Sequence, residues 1–97
     1  MFRHVAVFTW TEGMTAELEE RFAAELRALA PTLPGLRAYQ CGPDAGLSDG
    51  NFDFAVVADF DDVASYLNYR DNPAHRDIIA RYSRPNTKSR AAVQYEF

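Results

Sequence analysis

The chain has 97 residues, 47% of them apolar, with seven Phe, five Tyr and one Trp. That is one globular domain, residues 1–97, with no room for a second core and too many large apolar side chains to be disordered. Ten basic residues against fourteen acidic ones leave a net charge of −4, without a long run of either sign, which argues against a nucleic acid or an anionic membrane surface as partner.

The apolar runs fall far short of a membrane span, and Met1-Phe2-Arg3-His4 carries no signal-peptide pattern. Cys41 is the one cysteine. It has no internal disulfide partner, so a reducing cytoplasm is the expected location, and Cys41 reads as a packing residue. A domain this small buries only roughly 60–65% of its unfolded surface, so help from a second chain is expected.

Residues 2–10 read as a strand by their β-branched and aromatic content, with Phe2, His4, Ala6 and Phe8 on one face and Arg3, Val5, Val7 and Thr9 on the other. Thr15 then caps a helix of about fifteen residues, with Leu18, Phe22, Leu26 and Leu29 as its buried stripe and a Glu17–Arg21 pair on the wet side. Pro31 and Pro34-Gly35 end it. Leu36 to Cys41 is a short strand. The loop over residues 42–50 has glycines and an acidic residue but no Lys-Ser/Thr ending, so it is not a phosphate cradle. Asn51 to Phe60 is the strongest strand, with Phe52, Phe54, Val56, Ala58 and Phe60 opposite Asp53, Ala55, Val57 and Asp59. Asp53 and Asp59 are expected to meet Arg3 or Arg90 across the sheet. Asp61-Asp62 starts a short helix with Val63, Tyr66 and Leu67 turned inward.

Asn72-Pro73 is a second helix start, the Asn as cap and the Pro at a position whose N–H has no partner anyway. The helix it opens runs to about Ser83, where Arg84-Pro85 breaks it, and His75, Ile78, Ile79 and Tyr82 share one face. His75 lies near the positive end of that helix, which biases its ring towards the neutral form and makes it a candidate base. Ser89 to Phe97 closes the chain as a strand. The order β-α-β-β-α-β predicts a ferredoxin-like α+β fold, a four-stranded antiparallel sheet with helices on one face. The uncovered face, that of Val5, Val7, Ala55 and Val57 or the one opposite, predicts a homodimer joined sheet to sheet.

Arg3-His4-Val5-Ala6-Val7-Phe8, Pro34-Gly35, the run from Asp53 to Phe60, Asn72-Pro73-Ala74-His75 and Ala92-Val93-Gln94-Tyr95-Glu96 together resemble the stress-responsive A/B barrel domain (Dabb) family over essentially the whole chain. The resemblance implies a dimeric α+β barrel. It is a functionally mixed family, whose best-understood catalytic member is a plant polyketide cyclase, olivetolic acid cyclase, that works without metal or cofactor. Residue by residue, the resemblance puts that enzyme's catalytic histidine on His75, its tyrosine partner on Tyr69 and its first-strand pocket histidine on His4. Another of its pocket histidines falls on Phe54, which separates the two in substrate.

An aldol-type step needs a base for a proton next to a carbonyl and a donor for the growing oxyanion. His75 suits the first and Tyr69, with its hydroxyl tip at the cavity mouth, the second; the substrate class is a small hydrophobic oxo compound. Each residue also has a structural reading: His75 as a cap fastening the helix break, Tyr69 as core, His4 as a satisfied core histidine, Tyr66 and Tyr82 as core or rim aromatics. No metal or cofactor is expected, because nothing in the spacing makes His4, His75 and a carboxylate converge. Two functions of different class remain open, a cofactor-independent enzyme and a non-catalytic stress-related or ligand-binding barrel. The first predicts a pocket in front of His75; the second predicts a ring bonded to backbone with none.

Overall fold

The alternation along residues 2–8 sets the layering. In the computed structural model, which describes residues 1–97, β1 (Phe2–Trp10) buries Phe2, His4, Ala6 and Phe8 on one face and keeps Arg3, Val5, Val7 and Thr9 half-buried on the other. β1 is the hinge of the sheet. It pairs antiparallel with β3 (Phe54–Phe60) and with β4 (Thr87–Glu96), and β2 (Leu36–Pro43) pairs with the far side of β3, giving the order β2-β3-β1-β4. This register sets His4 opposite Ala58 on one side and Gln94 on the other.

Three helices cover one face: α1 (Ala16–Leu29), α2 (Val63–Asp71) and α3 (Pro73–Ile78). Thr15 caps α1 through a bond from the Leu18 N–H, and Asp62 caps α2 through one from Ser65. Two apolar clusters hold the layers together. Phe22, Ala23 and Leu26 of α1 and Ile78 of α3 pack on Ala6, Phe8, Phe54 and Val56, while Tyr66 and Tyr69 of α2 pack with Leu33 on Phe2, Ala58 and Phe60. The fold is therefore the ferredoxin-like α+β plan that the element order predicts. No helix is long and apolar enough to cross a membrane.

The sheet's other face has no helix. Val93, Tyr95 and Phe97 stand 58%, 43% and 58% exposed there, an apolar patch running beside half-buried Val5, Val7, Ala55 and Val57. Arg3 crosses it to Asp59, its register partner, with bonds of 2.6 and 2.8 Å.

Several local expectations change. Val63 and Leu67 are exposed while Tyr66 and Tyr69 are buried. At 100° per residue the two tyrosines share a face and the two aliphatic residues lie well off it, so the larger rings decide which side of α2 meets the sheet. β3 starts at Phe54, leaving Phe52 37% exposed. Asp53 does not meet an arginine; its carboxylate accepts the Trp10 N–H at 2.8 Å. Beyond α3 the helical run ends at Ser83, as expected, but its last part is a π-helical turn (Ile79–Ser83), and Arg84-Pro85 opens a 3-10 turn (Arg84–Asn86). Cys41 is half-buried, its Sγ directed at the Ala23 carbonyl, and burial pushes its thiol pKa up, which suits packing and not attack.

Candidate functional site

The site is built at the joint between α2 and α3. Asn72 ends α2 in extended backbone, and its side chain accepts from the N–H groups of Ala74 and His75 at 2.9 and 3.2 Å. That double cap turns the chain so that His75 folds back under α2. Its ring lies on Tyr69, centroids 4.1 Å apart, and Nδ1 sits 3.4 Å from the Arg70 carbonyl oxygen. A carbonyl only accepts, so the proton on that bond is on Nδ1 and the Nε2 lone pair is left as the basic site. Burial lowers the His75 pKa, the bond to Arg70 opposing this in part. The ring is neutral at neutral pH. The sequence assigns this to the helix end; burial is the larger cause here.

His4 reaches the same space from β1. The Gln94 amide nitrogen donates to its Nδ1 at 2.9 Å and to the Tyr66 hydroxyl at 2.9 Å. An Nδ1 that accepts puts the proton of neutral His4 on Nε2. Burial, then the positive charge of Arg90 and that of His75 once it is protonated in acid, push the His4 pKa down to about 4. His4 is thus a satisfied core histidine that also keeps an N–H donor.

Between sheet and helices lies a cavity of about 450 Å³ whose walls include His4, Phe8, Phe22, Tyr66, Tyr69, His75 and Ile79. Arg70, Arg76, Arg84 and Arg90, all exposed, stand at its rim with Asp71. The backbone bond of His75 and the open space beside it coexist: Nδ1 orients the ring without filling the cavity.

Tyr69 is placed differently from expectation. It is buried, and its hydroxyl meets that of Tyr39 on β2 at 3.2 Å, at the far edge of the sheet from the arginine rim. Burial pushes its pKa up to about 12, so the phenol stays protonated. What it offers His75 is a ring face.

Sequence reasoning missed Gln94 and Tyr66 as partners of His4, and the arginine rim. The alternation of the last strand puts Gln94 on the His4 side, and that signal was available. The π-helical turn that carries Ile79 and Ser83 into the cavity wall had no signal. No set of three or more His, Cys, Asp or Glu side chains is gathered closely enough to hold a metal ion.

A family model described as Stress Responsive A/B Barrel Domain matches residues 2–97. Among solved structures, a dimeric ferredoxin-like protein of unknown function from Thermobifida fusca is 38% identical with a TM-score of 0.91, over 99% of this chain and 90% of that one. A Dabb family protein from Mesorhizobium loti is 21% identical with a TM-score of 0.79, over 99% and 95% of the two chains. The hydroxynitrile lyase of Passiflora edulis is 18% identical with a TM-score of 0.81, over 97% and 90%. These last two are likenesses of fold. No curated protein matches the chain. The chain belongs to the stress responsive A/B barrel domain family.

Proposed function

For this member of the family we propose a cofactor-independent lyase or cyclase activity, the making or breaking of a carbon–carbon bond in a hydrophobic oxo compound, with His75 as base. The observation that carries the proposal is that the chain's two histidines line one cavity with opposite proton inventories, His75 with a free lone pair on Nε2 and His4 with a free N–H. In the bond-forming direction His75 Nε2 takes the proton next to a carbonyl. The His4 Nε2–H and the Tyr66 hydroxyl donate to the enolate oxygen as charge gathers on it, and donors fixed beforehand cost no reorganisation. The enolate carbon attacks a second carbonyl, and the imidazolium of His75 returns its proton to the new alkoxide. In the bond-breaking direction a hydroxyl proton goes to His75, the carbon–carbon electron pair leaves with the departing carbon, and that carbanion takes the proton back. Tyr69 acts through its ring, holding His75 in line.

A hydroxynitrile lyase on the same fold supports lyase chemistry on this scaffold. The homologue from Thermobifida fusca is dimeric, and the exposed Val93, Tyr95 and Phe97 support a homodimer joined through the open sheet faces. The free thiol of Cys41 suits a reducing cytoplasm. A non-catalytic ligand-binding barrel would use the same cavity without the Nε2 lone pair, and one experiment separates the two. Proton NMR in D₂O follows α-deuteration of hydrophobic aryl ketones and β-dicarbonyl compounds, and cleavage of aromatic cyanohydrins. The expected result is exchange or cleavage by the native protein that His75→Ala abolishes with its circular dichroism spectrum unchanged. Exchange that survives His75→Ala, or none above buffer across the panel, refutes the enzyme.

A further inference from the structure

Of the nine arginines in the chain, Arg3, Arg21, Arg37, Arg70 and Arg81 are ion-paired with carboxylates and Arg27 donates to the Cys41 carbonyl. The three left without any hydrogen-bond or ion-pair partner, Arg76, Arg84 and Arg90, all stand at the rim of the same cavity. They come from three different elements, α3, the 3-10 turn and β4. Arg76 and Arg84 flank the π-helical turn, whose wider i→i+5 winding turns the chain less per residue than an α-helix and so shifts which later residues share the side of Arg76. Arg90 rises from β4 on the face that also presents Gln94, its guanidinium 5.9 Å from the centre of the Phe8 ring. In a chain of net charge −4, carboxylates are plentiful, and five of the arginines find one. The guanidinium charge left without a partner is concentrated at one opening.

We infer that this cavity takes a molecule with an apolar body and a terminal oxyanion, the body seated among the aromatic rings and the anion held at the rim by Arg76, Arg84 and Arg90. The inference rests on the reading of this cavity as the substrate site and narrows it to an anionic oxo compound. The chemistry is direct. Guanidinium groups bind carboxylates and phosphates through forked, charge-assisted bonds, and guanidiniums without internal partners are already free to do so. Asp71, the one carboxylate at the rim, is engaged by Arg70 at 2.9 and 3.1 Å; Arg76 lies within its field but makes no direct bond to it. An anion anchored there leaves the far end of a short molecule beside His75 and His4, so binding energy remote from the reacting centre aligns the carbonyl with the base.

The test is calorimetric titration of the full chain with 4-phenylbutanoate, its amide, and phenylpropyl phosphate at low and at high salt. The carboxylate or the phosphate is expected to bind at least about tenfold more tightly than the neutral amide, with the preference shrinking as salt rises. Whichever of the two binds better identifies the anion. The triple variant Arg76→Gln, Arg84→Gln, Arg90→Gln keeps the aliphatic stems and is expected to bind all three equally, with an unchanged melting temperature. His75→Gln is expected to retain the preference, which separates failure of this inference from failure of the proposed base. Equal binding of anion and amide by the native chain, a preference that persists in the triple variant, or no binding of any of the three overturns the inference.

Discussion

His4 makes the stability of this fold fall in mild acid, and the size of the fall follows from its surroundings. In the unfolded chain a histidine takes a proton near 6.5; in the fold it is 5% exposed, accepts a bond from Gln94 on Nδ1 and titrates only near about 4. The folded pKa lies below the unfolded one, so the unfolded chain binds the extra proton and stability rises with pH across that window. Above 6.5 both states are neutral and the group contributes nothing. As pH falls, the native state loses about 2 kcal/mol by pH 5 and about 3 kcal/mol by pH 4 on this account alone. His75, with its pKa also lowered, adds to the fall with the same sign. The perturbation is His4→Gln, whose side-chain oxygen can still accept from Gln94 but cannot take a proton. Urea unfolding of both proteins is followed from pH 7.5 to pH 4 at one fixed protomer concentration, since assembly would otherwise enter the result. The expected outcome is that the difference between native chain and variant shifts by about 3 kcal/mol in favour of the variant between pH 7.5 and pH 4. Parallel curves, or an NMR titration of the His4 ring with a midpoint near 6.5, would refute the burial assigned to His4.

Replacing His75 by Gln is expected to lower α-proton exchange by about 10²–10⁴-fold, the usual worth of a positioned base, while the melting temperature holds. Gly35 has φ +77°, and a Cβ there would lie 2.1 Å from the Ser65 Oγ, so Gly35→Ala is expected to destabilise by about 2–4 kcal/mol, strain and overlap together. Gly46 has nearly the same φ, +76°, with nothing within 4 Å; Gly46→Ala isolates the backbone part, about 1–2 kcal/mol, and equal losses at both sites by urea unfolding would contradict the packing of α2 on Gly35. Val93→Glu puts a charge in the apolar patch on the open sheet face and is expected to leave a folded single protomer by light scattering; a dimer that survives it would mean the sheet faces do not meet.

What could be read from the residues divides by distance along the chain. The caps at Thr15 and Asn72, the strand faces and the ferredoxin-like order are local signals, periods of 2 and 3.6 bounded by turn residues, and the structure follows them. The inward stripe on α2 was misread because hydrophobicity favours Val63 and Leu67, whereas the sheet end beneath presents Phe2, His4 and Phe60, which two tyrosines cover better. The placement of His4 in the core was legible. Its proton was not, because the Gln94 that sets its tautomer lies 90 residues away. The same holds for the arginines: pattern shows that nine exist, and only the fold shows which four have no carboxylate and which three of those have no hydrogen-bond or ion-pair partner.

These non-local features share a direction. A fold selected for stability alone gains from an apolar residue at position 4, which would neither lose about 3 kcal/mol in acid nor need a glutamine to satisfy it. It gains, too, from filling a 450 Å³ space and from a carboxylate opposite Arg90. None of these is taken, and the three departures meet at one place, next to a histidine whose second nitrogen is tied to backbone. A cap alone does not require them. Asn72 already satisfies the first N–H groups of α3, so the helix joint stands whether or not His75 is a histidine. Asn72→Ala is therefore expected to cost about 1 kcal/mol of stability and, by loosening the turn that aims the ring, to lower exchange more than that loss explains. His75→Ala is expected to cost the exchange with little stability. If the two variants instead lose stability alike and exchange not at all, the histidine belongs to the joint and not to the cavity.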